Sequence, residues 1–243
     1  MKKSNPIRAE RELILHTELA NRMFDGRHGR ARCDRHSRDK CRIAGLRLFA
    51  SRARTIWHDA RDGNPFAHWW LIQIERVLSE AAKELHVTTE EYERLLQTQS
   101  FLEIRKLGAS KPHHRRVSFH SPLAYDAARL IAHLDHLLLL LIECTRQNLI
   151  SVKENITVGR AAARCVLRVF NLAIRYKHYD ISFKDIARPT AWVPRALREM
   201  GRIPEEVING SLRAQCAPVP RKLSPPVQVQ PSKAPRPVDS PVG

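Results

Sequence analysis

The sequence predicts a mainly α-helical protein in which one short β-strand forms part of a ribbon-helix-helix-like dimeric element. The strand is predicted over 115–120, where Val117 and Phe119 alternate with Arg116, Ser118 and His120, as in a half-buried strand. Ser121-Pro122 follows as a helix N-cap and first-turn proline, so a helix should begin directly after the strand. Because the rest of the chain looks helical, a second copy of the chain is the simplest partner for this strand.

The helix after Pro122 is expected to be the centre of the core. Its apolar residues are spaced alternately by four and three, which is typical of helix-on-helix packing. From Leu137 to Ile142 every residue is apolar, so this half should be buried on all sides. The spaced residues are Leu123, Ala127, Leu130, Leu134, Leu137, Leu141 and Cys144.

Apolar periodicity and capping signals predict the remaining helices in order. The expected segments are 7–24, 42–61, a helix from Pro65, a fourth helix opened by the capping box Thr88-x-x-Glu91, a helix from Ser151 to Tyr176, and short helices at 182–188, 191–200 and 204–209. We divide the chain into an N-terminal helical region (1–112), a DNA-binding and dimerisation region (113–215) and a proline-rich tail (216–243). The tail lacks large aromatics and is expected to be disordered, and the arginine-dense 25–42 segment is expected to be an exposed loop.

Charge is the most informative bulk property of the chain. The 243 residues carry a formal net charge of +17, which usually indicates a polyanionic partner, most often nucleic acid, with an anionic membrane surface as the other option. No unbroken apolar stretch is long enough to span a membrane, and no signal-peptide core is present, so we expect no membrane partner and a cytoplasmic protein. The five cysteines are irregularly spaced and are expected to be reduced.

The sequence offers little support for catalysis, a cofactor or a metal. It contains no glycine-rich phosphate loop, no Gly-x-Ser-x-Gly elbow and no His-Glu-x-x-His pair, so we expect no catalytic residues, no cofactor and no enzyme. The group Cys33, His36 and Cys41 matches no standard zinc spacing, and we interpret it as part of a loop. His133, Asp135 and His136 lie within about one helical turn and are interpreted as part of a solvated helix face.

Two sets of residues favour contact with double-stranded DNA. A two-stranded ribbon made by two chains fits the major groove, with Arg116, Ser118 and His120 facing base edges and the helix start at Ser121 near a phosphate. The alternative is a structural strand that pairs inside the monomer.

The second set lies along one face of the 151–176 helix, where no carboxylate occurs between Arg160 and Arg175. We therefore expect phosphate contacts from Arg115, Arg160, Arg164 and Arg168, although a merely solvated helix side is the alternative.

Six segments carry a resemblance to a known family: LHTELANRMFDGR, IAGLRLFASRARTIW, NPFAHWWLIQIE, SPLAYDAARLIAHLDHLLLL, RYKHYDISFKDI and ALREMGRIPEEVINGSLRA. They resemble the family of AcaB-like transcriptional regulators encoded on integrating conjugative elements and conjugative plasmids. The resemblance covers about residues 10–218. It implies a nucleoid-associated, homodimeric, sequence-specific activator of conjugative transfer genes, whose further partners would be RNA polymerase or other element-encoded proteins. The alternative is a non-regulatory component of the conjugation or element-maintenance machinery that binds DNA or protein.

Overall fold

The computed structural model describes residues 11–26, 44–99, 111–187 and 192–219. Two strands and eight helices lie within these ranges, so the expectation of a mainly helical protein is confirmed. Their bounds are β1 Arg11–Leu15, α1 Glu18–Asp25, α2 Leu46–Arg61, α3 Pro65–Gln99, β2 His113–Val117, α4 Pro122–Arg146, α5 Val152–Ile174, α6 Phe183–Ala187, α7 Val193–Met200 and α8 Glu205–Ile208.

The predicted strand finds its partner inside the same chain. β2 pairs antiparallel with β1, with Arg11 opposite Val117 and Leu15 opposite His113. The second copy that we expected to supply the partner strand is therefore not needed to form the ribbon. The predicted 7–24 helix is wrong over residues 11–15, which form β1, and residues 7–10 lie outside the described part of the chain. The helix begins only after Thr17, whose hydroxyl accepts a hydrogen bond from the Ala20 N–H as an N-cap.

α3 is one continuous helix of 35 residues, so the break predicted at Thr88 is also wrong. The Thr88 hydroxyl donates to the Glu84 carbonyl at 2.9 Å, and the Thr89 hydroxyl donates to the Leu85 carbonyl at 2.7 Å. Threonine can bond back to the preceding turn in this way without ending the helix. The same side chain therefore suits a cap or a helix interior, and packing decides between them.

α4 lies at the centre of the core, as predicted. Leu123, Leu134 and the other residues of the spaced apolar set are all buried. The helix packs against α1, α2, α3, α5 and β1. Its last turns are less enclosed than expected, because the Ile142 side chain remains 53% exposed.

The buried core forms one cluster with members on both sides of residue 112, so the two proposed regions do not have separately packed cores.

A strand followed by two helices occurs twice in the chain. The first unit is β1-α1-α2 and the second is β2-α4-α5, and their strands pair antiparallel. α1 packs on α4 and α2 packs on α5, where the rings of Phe49 and Phe170 lie 5.3 Å apart. α3 separates the two units in sequence and packs across α2, α4 and α5. The two units therefore form one body around the ribbon.

Two glycines bring the end of α1 and the start of α2 together. Gly26 ends α1 with a positive φ of 73°, a conformation that favours glycine. Gly45 precedes α2, and a Cβ on residue 45 would collide with the backbone of Asp25 and Gly26. The arginine-dense 25–42 segment, of which residues 27–42 lie outside the described part, therefore leaves and rejoins the body at one point.

The start of the proline-rich tail is packed rather than free. The Trp57 indole donates to the Cys216 carbonyl at 3.2 Å, and the Glu75 carboxylate accepts from the N–H groups of Gln215 and Cys216. Pro218 is buried, whereas Val219 is 81% exposed. The tail boundary predicted at residue 216 therefore falls inside the packed region, and residues 220–243 lie outside the described part of the chain.

A buried carboxylate joins the two units, so the prediction that Asp135 lies on a solvated helix face is wrong. Asp135 on α4, only 3% exposed, accepts hydrogen bonds from the N–H groups of His16 and Thr17 at 2.8 Å each. It also accepts from the Thr17 hydroxyl at 2.6 Å and lies 3.2 Å from the His16 ring. These contacts fix the turn between β1 and α1 against α4.

Replacing Asp135 with alanine should lower the free energy of unfolding by about 3 kcal/mol, because several buried donors would lose their acceptor. Urea denaturation of Asp135→Ala and of the unsubstituted chain would measure the difference. Asp126→Ala is the matched control, since this carboxylate lies on the same helix but pairs with Arg129 at the surface. Equal losses in the two variants would contradict the role assigned to Asp135.

Candidate nucleic-acid interface

The ribbon of β1 and β2 has one face on the core and one face in solvent. Leu15 and Val117 are buried on the inner face, which anchors both strands. Cross-strand partners share a face in an antiparallel pair. The outer face therefore carries Glu12 and Ile14 from β1 and His114 and Arg116 from β2, all of them exposed.

The alternation predicted for the β2 region is present in the structure. Arg116, Ser118 and His120 are exposed, Val117 is buried and Phe119 is half-buried. The strand itself ends at Val117, so Ser118 and His120 lie in the turn that leads to α4. The three predicted base-contacting residues therefore share a solvent-facing side, although only Arg116 lies in the strand.

Arg115 is engaged inside the protein instead of extending into solvent. Its guanidinium donates to the Asn21 side chain at 2.6 and 2.9 Å and to the Asp25 carboxylate at 2.8 Å. It also lies over the Phe24 ring, 5.4 Å from the ring centre. These contacts attach β2 to α1. The phosphate contact expected for Arg115 thus competes with an internal network that the sequence did not reveal.

Ser121 also differs from its expected role. It is 1% exposed, its side chain makes no capping hydrogen bond, and its Oγ lacks a hydrogen-bond partner among the described residues. Tyr125 holds this turn instead, because its hydroxyl bonds to both the N–H and the carbonyl of Phe119. The Arg11 guanidinium stacks on the Tyr125 ring at 5.0 Å, which links β1 to the same turn.

The arginine face of α5 is exposed at Arg160, Arg164 and Arg175. Arg168 is not a free cation, because it donates to Glu84 of α3 at 2.6 Å. Hydrogen bonds from the Cys165 thiol and from Arg168 lower the pKa of Glu84, so this carboxylate stays ionised beside the arginines. The α5 sequence has no carboxylate between Arg160 and Arg175, but α3 places Glu84 beside these arginines. The sequence of α5 alone could not indicate this acid.

The α5 arginines extend away from the ribbon. Gly159 packs against Leu138, and Asn155 bonds to the carbonyl of Leu141, so α5 is antiparallel to α4. The C-terminal end of α5 is therefore level with the start of α4, next to the ribbon. From Arg175 to Arg160 the helix rises about 22 Å, at about 1.5 Å per residue.

Other candidate sites from the sequence contribute no further chemistry in the described ranges. Within those ranges no group of three His, Cys, Asp or Glu side chains is placed to hold a metal ion, and Cys33, His36 and Cys41 lie outside them. His133 is exposed, and His136 pairs with Glu93 at 3.0 Å. The described cysteines Cys144, Cys165 and Cys216 are free thiols. None of the described helices is long and apolar enough to cross a membrane.

Sequence reasoning missed the β1 half of the exposed ribbon face, Glu12 and Ile14. A usable signal was present, since both strands are followed by an N-cap residue at the start of a helix, Thr17 in one unit and Ser121 in the other. The two strand-to-helix junctions have the same order of elements. A search for this repeated order would have paired the strands within one chain.

Arg115 should contribute more to stability than an arginine in a surface ion pair does. Arg115→Ala should lower the free energy of unfolding by about 1–2 kcal/mol, because it removes charge-assisted hydrogen bonds to two side chains of α1. Arg22→Ala is the matched control, since this arginine pairs with Glu18 at the surface of α1, and it should stay within about 0.5 kcal/mol. Thermal or urea unfolding of the two variants measures both values, and an equal loss would contradict the assignment.

Comparisons with known proteins agree with the resemblance found in the sequence. The family model described as transcriptional regulator AcaB matches residues 3–221. The crystal structure of selenomethionine-containing AcaB from uropathogenic E. coli superposes with a TM-score of 0.55 and 11% sequence identity. The match covers 83% of this chain and 94% of that chain, and at this identity it shows a shared fold. A comparison with curated proteins gave no match. Because the family model spans most of the sequence, the chain belongs to the AcaB family of transcriptional regulators.

Proposed function

We propose that the chain binds double-stranded DNA sequence-specifically through the outer face of the β1–β2 ribbon and thereby regulates transcription. The observation that carries the proposal is an exposed antiparallel ribbon whose inner face is anchored in the core by Leu15 and Val117. A ribbon of two strands is narrow enough to enter the major groove, where each base pair presents a distinct pattern of donors and acceptors. A regulator family is also expected to act through DNA rather than as an enzyme.

The ribbon-helix-helix-like character of the element is supported by the two strand-helix-helix units. In ribbon-binding regulators each strand comes from a separate copy, so the two strands present identical side chains. Here one chain supplies both strands, and their outer residues differ: Glu12 and Ile14 on β1, His114 and Arg116 on β2. Such a ribbon is suited to a target whose two halves differ in sequence.

Each exposed residue has a definite role in this proposal. Arg116 donates two hydrogen bonds to a guanine, and Ser118 and His120 bond to adjacent base edges or phosphates. Ile14 contacts a thymine methyl group. The Glu12 carboxylate, 3.1 Å from the His114 ring, limits the positive charge on this face, so binding here depends more on shape and hydrogen bonds than on charge.

Phosphate contacts supply most of the affinity. Arg160 and Arg164 extend from α5 into solvent, and Arg168 contributes less because Glu84 partly neutralises it. Arg115 holds β2 to α1, and Ser121 lies within the buried turn before α4. Both residues therefore position the ribbon and do not themselves contact DNA. Two copies, as a homodimer, would place two such ribbons on successive turns of the duplex about 34 Å apart.

The finer regulatory role follows from the family resemblance. We propose activation of conjugative transfer genes on an integrating conjugative element, with contacts to RNA polymerase or other element-encoded proteins, in the nucleoid of the cytoplasm. The alternative is a non-regulatory component of the conjugation machinery. The distribution of positive charge supports this alternative. Seven of the 42 Lys and Arg residues lie in the single segment 27–43, and such clusters bind DNA without sequence preference.

The first experiment is genome-wide occupancy of the tagged protein in its host, followed by binding measurements on the sites that it finds. Arg116→Ala should weaken binding to a specific site by about 1–3 kcal/mol and leave non-specific binding unchanged. Arg164→Ala should weaken both and lower the slope of log affinity against log salt by about one. Arg76→Ala, on an exposed arginine of α3 paired with Glu80, is the matched control. Diffuse occupancy, or equal behaviour of the first two variants, would favour the non-regulatory alternative.

A thymine-specific contact can be tested separately. Ile14→Ala should weaken binding to the specific site by about 1 kcal/mol, and replacing one thymine of the site with uracil should cause a similar loss. The losses of binding free energy from the two changes should not be additive, because each change removes one partner of the same methyl contact. Fluorescence anisotropy would measure the cycle, with Val87→Ala as an exposed apolar control on α3. Fully additive losses at every thymine would exclude the Ile14 contact.

A further inference from the structure

An open cleft with aromatic walls lies between the segment that follows α5 and the helix α7. Its volume is about 590 Å³, and its lining includes Tyr179, Asp180 and Trp192. The Trp192 side chain is 59% exposed, the most exposed aromatic ring among the described large hydrophobic residues. An exposed indole beside a tyrosine is typical of surfaces that bind another chain.

The polar groups of this cleft are satisfied internally. The Glu199 carboxylate accepts from Lys177 at 2.5 Å and from Arg195 at 3.2 Å. Hydrogen bonds from Lys177, Tyr179 and Arg195 lower the pKa of Glu199 to about 2. The walls are therefore held in place, and the cleft has no surplus of positive charge that would select an anionic ligand. The aromatic rings and the exposed Asp180 carboxylate are the groups left to recognise an occupant.

The backbone of the cleft is fixed to the core. The Asn64 side chain donates to the Tyr179 carbonyl at 2.5 Å, and its oxygen accepts from the Ala67 N–H at the start of α3. One amide side chain thus joins the cleft to the longest helix. Such a preformed surface can bind a ligand without first paying for its own ordering.

The last described residues of the chain lie near this cleft. Arg213 donates to the Pro218 carbonyl at 3.2 Å. Trp57 of α2 donates to the Cys216 carbonyl at 3.2 Å, and two residues further along α2 the Asp59 carboxylate lies 2.8 Å from the ring of His178, which lines the cleft. The chain therefore leaves the body on the side of the molecule that carries the cleft.

The residues beyond this exit have the composition that an aromatic cleft binds. Residues 220–243 contain seven of the 15 prolines and no aromatic residue. Proline-rich segments favour the polyproline II conformation, which packs proline rings into aromatic grooves at low entropic cost. At about 3.1 Å per residue, the 11 residues 220–230 can extend about 34 Å before the docked part begins.

We infer that the Trp192–Tyr179 cleft is the docking site of the chain's own proline-rich segment 231–241. Pro235 and Pro237 pack on the two rings, as two of the three edges of a polyproline II helix can do on one surface. Attachment in the same chain gives the segment a local concentration in the millimolar range, so a weak contact suffices to keep it bound. The surface is separate from the ribbon, and the inference does not depend on DNA binding.

The test uses the full chain with fluorine-labelled tryptophan, in which ¹⁹F NMR resolves four indoles and Trp192→Phe identifies the line of Trp192. Replacing Pro231, Pro235 and Pro237 with alanine should shift the Trp192 line and leave the lines of Trp57, Trp69 and Trp70 in place. Replacing Lys222 and Lys233 with alanine is the control and should shift none. No shift of the Trp192 line in the proline variant would overturn the inference.

A peptide of residues 229–243, titrated into the proline variant, should return the Trp192 line to its original position. Trp192→Ala in the same background should weaken the peptide by at least about tenfold, as expected for an aromatic anchor. Unchanged peptide affinity after this substitution would place the segment elsewhere and contradict the proposal. A Trp192 shift that depends on protein concentration would assign the site to the tail of a second copy and overturn docking within one chain.

Discussion

The architecture depends on one buried carboxylate. Asp135 on α4 satisfies the backbone N–H groups of His16 and Thr17 and the Thr17 hydroxyl. A buried charge is tolerated only when such donors surround it. Because α4 directly follows β2, the same contact that holds the start of α1 also sets β1 beside β2. Two strands that are distant in sequence are thereby brought into register alongside the first half of the central helix.

A sheet of two strands is marginal by itself in water and needs packing on one face to persist. In this chain the packing comes from Leu15 and Val117, while Arg115 and Tyr125 fix the ends of the ribbon to α1 and to the turn before α4. The inner face thus provides the stability, and the outer face is left for recognition. This division explains why two neighbouring arginines of one strand have different surroundings.

Features that depend on local periodicity could be predicted from the sequence. The buried set of α4 and the alternate exposure of Arg116, Ser118 and His120 are examples, since each follows from the spacing of nearby residues. β1 was predicted as helix because Arg-Glu-Leu-Ile-Leu does not alternate strictly and its residues are mostly good helix formers. Tertiary pairing with β2 overrides that preference. The acid beside the α5 arginines was missed for a related reason, since Glu84 comes from a different helix and composition along one helix cannot reveal it.

The meeting of Gly26 and Gly45 has a consequence for how this protein can vary. A segment whose two ends are joined at its base can change in length or sequence without moving the helices on either side. The entropic cost of such a change is small, about 0.6 kcal/mol for each doubling of loop length. The position between these glycines should therefore tolerate a change of length or charge while the ribbon and its supporting helices stay the same.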